Sequence, residues 1–362
     1  MFKHGKWLSL LLLVALVVSL LGGTVPKDPT TTPTAPASDI NSGSELMVHF
    51  IDVGQADAAL VTCDGKAMLI DGGNAEDSNV MYTYLKKSGI THLDYVIGTH
   101  AHEDHIGGIA GALSYATVGM VYCPVREYDS KAFSNFVKAA QKHGAAVTVP
   151  TAGMRFDLGS AAVEILAVNV SEDTNNSSIV LRITYGSTSF LFMADAETEV
   201  EQWLIDRYGS GLSSTVLKVG HHGSSTSSSY SFLWHVMPTY AVVSVGKDNT
   251  YGHPEDEVIS RLQDADITYY RTDLQGDIIA TSDGSCVRFI ASRNPDIHTE
   301  PAEPTVTEAA TFAYILNANS RKFHNPYCGA VEDINPENKR EYTGTRNELL
   351  EQGYSPCGLC KP

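Results

Sequence analysis

Residues 99–108 read THAHEDHIGG. Three imidazoles and two carboxylates fall between His100 and His105, directly after HLDYVIG, a short apolar run with the character of a β-strand. Two later strand-like runs end in similar groups. FLFMA leads into Asp195, and TVLKVG leads into His221-His222-Gly223-Ser224. Any fold for this chain has to bring these three strand ends together. Chance clustering of histidine accounts for one such place, but not for three in this pattern.

Around them the chain alternates strands and helices. LMVHFIDVG, DAALVTC and KAMLID read as short strands separated by turn residues. Ser130 is placed to cap a helix whose Phe133, Phe136, Val137 and Ala140 share one face, and Gly144 to end it. SIVLRITYG and TSFLFMAD form a hairpin pattern over Gly186, and Val200, Trp203 and Leu204 mark a further helix face. Early hairpins followed by strand–helix units imply mixed rather than wholly parallel sheets.

The rest of the chain sorts by composition. Lys3 and Lys6 precede an apolar run from Trp7 to Leu21, then small residues, so residues 1–24 read as an export leader. The run is shorter than the about 20 apolar residues a membrane span needs. An uncleaved membrane tether is the alternative. Residues 25–45 are a Pro/Thr/Ser-rich linker, 46–292 the main domain, 293–310 a second linker and 311–362 a small tail domain. The expected location is secreted or cell-surface. The net charge of −17 argues against a general nucleic-acid binder, which carries a basic stripe. It does not exclude a nuclease, because bound metals supply local positive charge.

Imidazole and carboxylate together suit zinc, manganese or iron. His100 and His102 can face one way and Asp104 and His105 another, a spacing that serves two ions. A structural zinc site fills itself with four ligands, often thiolates; this loop has no cysteine and leaves an open position, as catalytic sites do.

THAHEDH resembles the H-x-H-x-D-H signature of the metallo-β-lactamase superfamily. FIDVGQADAALV, LIDGG, THAHEDHIGG, NNSSIVLRI, LFMADAE, LKVGHHGS and NTYGHP are similar, in order, to the corresponding domain of ComEC competence proteins over nearly all of residues 46–291. The resemblance implies an α+β fold, a four-layer αββα sandwich with a dinuclear Zn²⁺ or Mn²⁺ site at one edge. It implies that His100 and His102 hold one ion and Asp104 and His105 the other, with Asp195 bridging. His222 completes the second site, His221 standing behind it, and Asp71 is a buried support. The histidine that many members add between this loop and the bridging aspartate is missing; Asn175-Asn176-Ser177 stands there, and Asn176 is expected near the first ion. Ala194-Asp195 replaces the usual G-D, and Gln55-Ala56-Asp57 the usual Q-G-D.

Metal-activated water suits hydrolysis, and paired metals suit displacement at phosphorus. Asp104 and His253 are the catalytic candidates. His253 would contact a phosphate or protonate a leaving group; as the rival reading, it caps a turn before Pro254. The expected activity is that of a phosphodiesterase or nuclease, with DNA the leading substrate. A phosphorylcholine-type esterase acting on cell-wall polymer and a non-catalytic binding protein are the alternatives. Lys218 is read as lying along its strand without a role. His49, His92, His143 and His235 carry no ligand pattern, and Cys63, Cys123 and Cys286 read as core residues.

In the tail, His324 and Cys328 precede Cys357 and Cys360 of a C-x-x-C knuckle, with a capping box at Thr345 and Glu348 and a helix stop at Gly353. One His and three Cys suit a closed structural Zn²⁺ site; disulfides are the alternative in an exported chain. The stretch resembles Ada-like metal-binding domains, with a structural, DNA-binding or wall-binding role.

Overall fold

The computed structural model describes residues 45–295, 312–326 and 328–357. The expected leader, nearly all of the first linker, most of the second and Cys360 lie outside the described residues. Among the described residues no helix is long and apolar enough to cross a membrane.

The first sheet begins with β1 (Leu46–Phe50), β2 (Ala58–Cys63), β3 (Lys66–Asp71), β4 (His92–Ile97), β5 (Thr117–Tyr122) and β6 (Val147–Thr148). The second comprises β7 (Arg155–Leu158), β8 (Ala161–Ala167), β9 (Val180–Tyr185), β10 (Thr188–Phe192), β11 (Val216–Lys218), β12 (Tyr240–Val243) and β13 (Thr268–Arg271). The chain then returns to the first sheet as β14 (Ile278–Ser282) and β15 (Val287–Ala291), giving the orders β15-β14-β1-β2-β3-β4-β5-β6 and β13-β12-β11-β10-β9-β8-β7. Each sheet is antiparallel in one half and parallel in the other; β3 through β6 and β10 through β13 run parallel.

Three apolar layers account for the architecture. Phe50, Val61, Met68 and Ile70 of the first sheet pack against Ile165, Ile183, Phe190 and Phe192 of the second. The outer face of the first sheet is covered by helices α1 (Ser78–Lys87), α2 (Glu103–Ile106), α3 (Ile109–Ala112) and α4 (Lys131–Lys142), through Leu85, Ile106, Ile109 and Phe136. That of the second is covered by α5 (Thr198–Tyr208), α6 (Tyr230–Val236) and α7 (Asp256–Asp264), through Val200, Leu204, Phe232 and Leu262. A short α8 (Thr272–Gln275) precedes β14. This is the four-layer αββα sandwich. It also explains why central strands such as β2 are buried along their whole length instead of alternating.

Local sequence drives the details. Ser130 Oγ accepts from the Phe133 amide at the start of α4, satisfying an otherwise orphaned N–H, and Gly144 beyond its end has φ +76°. Gly186, at φ +59°, lets β9 turn into β10 over two residues. Cys63 and Cys123 are buried, as expected. Cys286 is not: it is exposed in the turn between β14 and β15, where Asp283 accepts from its amide and its thiol, so the expectation of a core cysteine is corrected.

The tail forms a separate sheet, β18-β16-β17-β19, from β16 (Phe312–Asn317), β17 (Lys322–His324), β18 (Lys339–Gly344) and β19 (Ser355–Pro356), with α9 (Arg346–Glu351). Thr345 Oγ1 accepts from the Glu348 amide and the Glu348 carboxylate accepts from the Thr345 amide, the reciprocal capping box.

Candidate metal centre

Parallel register assembles the site. β10 and β11 pair Phe192 with Lys218, so the segments that follow carry Asp195 and His221 out side by side. β3 and β4 pair Ile70 with Ile97, so Asp71 arrives next to the turn that carries Thr99 and His100. β2 runs antiparallel to β3, pairing Ala58 with Asp71, and so brings Asp57 to the same edge. Ligands at the carboxyl ends of parallel strands are the general expectation for such sheets.

The metal loop is then locked to LIDGG and to Asp57 by backbone. Gly72 N donates to His105 O, Gly108 N to Gly73 O and Asp57 N to Asp104 O. The approach leaves no room for a side chain: a Cβ on Gly108 would lie 2.0 Å from Gly72 O. Asp71, buried, accepts from Thr99 N at 2.8 Å, from Thr99 Oγ1 at 2.7 Å and from His105 Nδ1 at 2.9 Å. Asp71 therefore fixes the loop and sets the His105 tautomer, leaving Nε2 to the centre.

Two ligand groups result, sharing one carboxylate. His100, His102 and Asp195 form the first, and Asp104, His105, Asp195 and His222 the second. Asp195 divides its oxygens between them. Oδ2 lies 3.7 Å from His100 Nε2, while Oδ1 lies 3.2 Å from His105 Nε2 and 3.7 Å from His222 Nε2. Asp104 Oδ2 is 3.4 Å from His222 Nε2 and 3.9 Å from His105 Nε2. His105 Nε2, His222 Nε2 and Asp195 Oδ1 are buried without a hydrogen-bond partner. Buried polar atoms are ordinarily paired. Three orphans aimed at one point fit a divalent cation.

The HHG pair splits. His222 Nε2 faces the second group, and its Nδ1 lies 3.0 Å from Ser244 O and 3.4 Å from Asp57 Oδ1. His221 Nε2 faces Asp195 Oδ2 at 3.7 Å, on the side of the first group, while Nδ1 lies 3.3 Å from Glu197 Oε1. Asp71, Ala194, His221 and His222 all adopt left-handed backbone, with φ of +58°, +51°, +48° and +53°. Such strain concentrates at functional sites. It also gives a physical meaning to the usual glycine at position 194, where this chain has alanine.

Charge is intense and balanced. Burial opposes ionisation of His105, yet Asp195, Asp71 and Asp104 outweigh it and hold its imidazole well above the usual range. Burial likewise opposes charge on His222, but Asp195 and Asp57 push it up to about 10. Burial and the neighbouring His105 keep His100 well below its usual range. Burial resists ionisation of Asp104, but His105 and the His222 contact bring it down to about 2.

The groups open into a cleft of about 330 Å³ whose lining includes Gln55, Asn175, Tyr251 and His253. A larger groove of about 490 Å³ elsewhere, bordered by Asp52, Lys87, Asp277 and Arg293, has no convergent ligand atoms. Asn176, expected near the first ion, is not in either group. Its Oδ1 accepts from Glu197 N and its Nδ2 donates to Glu199, so the amide is spent on the start of α5. Asn175 lines the cleft instead, with Oδ1 buried and unpartnered. Lys218, given no role from sequence, pairs through Nζ with Asp57 Oδ2 at 2.9 Å, both side chains buried. The signal was a lysine in a three-residue strand whose neighbours are all core-type, which demands a buried carboxylate. In the tail, His324, Cys328 and Cys357 bring their ligand atoms within 4.8 Å of one another, and both His324 nitrogens are buried without a hydrogen-bond partner.

Residues 51–247 match the Metallo-beta-lactamase superfamily. The chain is 31% identical over 255 residues to ComE operon protein 3 of Bacillus subtilis (strain 168), covering 65% of this chain and 33% of that protein. It is 32% identical over 262 residues to Competence protein ComA of Neisseria gonorrhoeae, covering 72% of this chain and 34% of that protein. The chain thus spans about a third of the length of these curated relatives. The solved metallo-beta-lactamase fold protein YhfI from Bacillus subtilis aligns with a TM-score of 0.47 at 15% identity, over 66% of this chain and 100% of that one.

Proposed function

The chain belongs to the metallo-β-lactamase superfamily, with competence proteins among its relatives, and on that premise we propose that it is an exported metal-dependent phosphodiesterase. The observation that carries the reading is the division of the Asp195 oxygens between two ligand groups that both open into one cleft.

His100, His102 and Asp195 would hold one ion, and Asp104, His105, Asp195 and His222 the other. Divalent ions bound there supply a nucleophilic water at neutral pH and offset the charge that develops at phosphorus. The protein supplies orientation. Asp71 behind His105, and Asp57 with Ser244 behind His222, keep Nε2 of each ring facing the centre. Gln55 Oε1 accepts from Gly246 N, which turns its amide Nε2 toward His253 Nδ1 at 3.4 Å. His253 Nδ1 therefore accepts, and the proton sits on Nε2. Burial, with His221 and His222 nearby, lowers the His253 pKa, so the ring is neutral at pH 7. A neutral N–H donor suits contact with a phosphate oxygen better than proton donation to a leaving group.

Turnover of bis-p-nitrophenyl phosphate by the metal-loaded protein tests the reading. Activity with Mn²⁺ or Zn²⁺ is expected, with loss in Asp104→Asn and Asp195→Asn. Absence of turnover with every metal would leave a binding protein. For the tail we propose a structural Zn²⁺ held by His324, Cys328 and Cys357, with Cys360 as the fourth ligand; metal content of Cys328→Ser checks it.

A further inference from the structure

We infer that His221, oriented by Glu197, is a ligand of the first ion and takes the place of the histidine that this chain lacks between the metal loop and Asp195. The inference rests on the two-ion reading and adds a ligand to it.

The first group is the poorer of the two. It offers two imidazoles and one carboxylate, with His100 Nε2 3.0 Å from His102 Nδ1, whereas the second offers two imidazoles and two carboxylates. Asn176 does not make up the difference, because Glu197 N and Glu199 take up its amide. His143 Nε2 is spent on Leu113 O at 2.7 Å, and no histidine follows it before His221.

The HHG turn is shaped to fill that gap. Its two histidines take successive left-handed backbone, so their rings part. His222 Nε2 lies 3.7 Å from Asp195 Oδ1, and His221 Nε2 lies 3.7 Å from Asp195 Oδ2. Oδ2 is also the oxygen that faces His100. Each oxygen of the shared carboxylate therefore has its own imidazole from this turn, and the one on the side of the first group is His221. His221 N donates to Ala194 O at 2.8 Å, which ties the residue beside that carboxylate. Behind the ring, Nδ1 faces Glu197 Oε1 and Thr226 Oγ1, each at 3.3 Å, and Thr226 Oγ1 donates to the same carboxylate oxygen at 3.0 Å. A carboxylate at Nδ1 keeps the proton there and turns the Nε2 lone pair outward. Asp71 does this for His105, Asp57 stands likewise behind His222, and Glu197 repeats the device for His221. At 3.7 Å, Nε2 makes no hydrogen bond to Asp195. A bare nitrogen and a carboxylate oxygen thus face each other with no proton between them, an opposition that a cation resolves. His221 keeps 22% exposure on the cleft, where His100 and His222 are buried, so it is the loosest of these ligands and the first ion the weaker bound.

Mn²⁺ alone is the probe, on the full-length protein, because the thiolates of the tail do not favour it. Titration calorimetry and electron paramagnetic resonance read it without turnover. The wild type should bind two Mn²⁺ and give the exchange-coupled spectrum of a metal pair. His221→Ala should keep one Mn²⁺ at wild-type affinity, which shows that the fold and the second group stand. It should weaken the other more than about 100-fold, beyond the range for an outer partner, and give the spectrum of an isolated ion. Glu197→Gln should weaken the same ion about 10–100-fold and leave its neighbour unchanged. A coupled pair at unchanged affinity in His221→Ala overturns the inference. Asn175, whose Oδ1 is buried and unpartnered in the cleft lining, then becomes the ligand if Asn175→Ala loses the ion. Should His221→Ala misfold and lose both ions, Glu197→Gln decides, and an unchanged pair there overturns the inference. A wild type that binds only one Mn²⁺ overturns it together with the two-ion reading, while turnover of bis-p-nitrophenyl phosphate by the same protein judges the phosphodiesterase separately.

Discussion

Replacing Lys218 by methionine tests whether the floor of the metal centre is held by a buried charge pair. Lys218 Nζ sits 2.9 Å from Asp57 Oδ2, with the side chains only 4% and 8% exposed. At that distance the gross attraction is about 6 kcal/mol for an effective dielectric near 20. Most of it offsets the desolvation of both groups. Removing the lysine alone strands the carboxylate, for which about 3–5 kcal/mol is the usual cost. For a domain of this size that lowers Tm by about 2–4 °C per kcal/mol. His222, 3.4 Å from Asp57 Oδ1, softens the loss when it is protonated. The metal-free protein should therefore lose less than the metal-loaded one, in which His222 must be neutral. Adding Asp57→Asn to Lys218→Met removes the stranded charge and should recover most of the stability. Urea denaturation of the wild type and these two variants, with and without Zn²⁺, measures all of this. A single variant costing under about 1 kcal/mol, the scale of a solvent-exposed pair, would refute the argument. So would a double variant no more stable than the single.

Four further outcomes follow from the same geometry. Asp71→Asn should weaken metal binding about 10–100-fold while the fold persists, read by titration against a metallochromic chelator. Metal binding at pH 7 should release protons, because His105 and His222 are held protonated in the metal-free protein and must give up those protons; calorimetry in buffers of different ionisation enthalpy detects it. The sign carries over to stability: the contribution of His222 to the metal-free fold is complete below its ordinary value of 6.5 and fades as pH rises toward about 10. Gly108→Ala should cost about 1–3 kcal/mol or prevent folding, since its Cβ meets Gly72 O. Ala194→Gly should raise stability by about 1 kcal/mol by relieving left-handed backbone, a change visible in the midpoint of urea denaturation.

Much of the site was legible because its ligands are contiguous at strand ends. His100 to His105 and the HHG pair announce themselves as residue types, and the two facing directions within the loop follow from its tightness. The division of the Asp195 oxygens was not legible, because it depends on the β10–β11 register. Asn175 and Asn176 are neighbours in an irregular turn, where no periodicity says which one looks inward. Lys218 was obscured by the sandwich itself: strands buried on both faces lose the alternation that would have marked it as inward-facing. Cys286 followed the apolar character of the strand after it, although Asp283 draws it into a turn. The hairpin over Gly186 and the helix from Ser130 to Gly144 succeeded because local capping and tertiary packing agree there.

His100, His102, Asp104 and His105 follow a strand of the first sheet, while Asp195, His221 and His222 follow strands of the second. Ions seated among them would rivet one half of the sandwich to the other. Prying the halves apart and letting the ions go would then be a single event. Free metal acts in that case as a thermostat for the whole domain, adding about 2.7 kcal/mol of resistance to unfolding at a hundred times its dissociation constant. Withholding metal would disarm such a protein by loosening it as much as by silencing it.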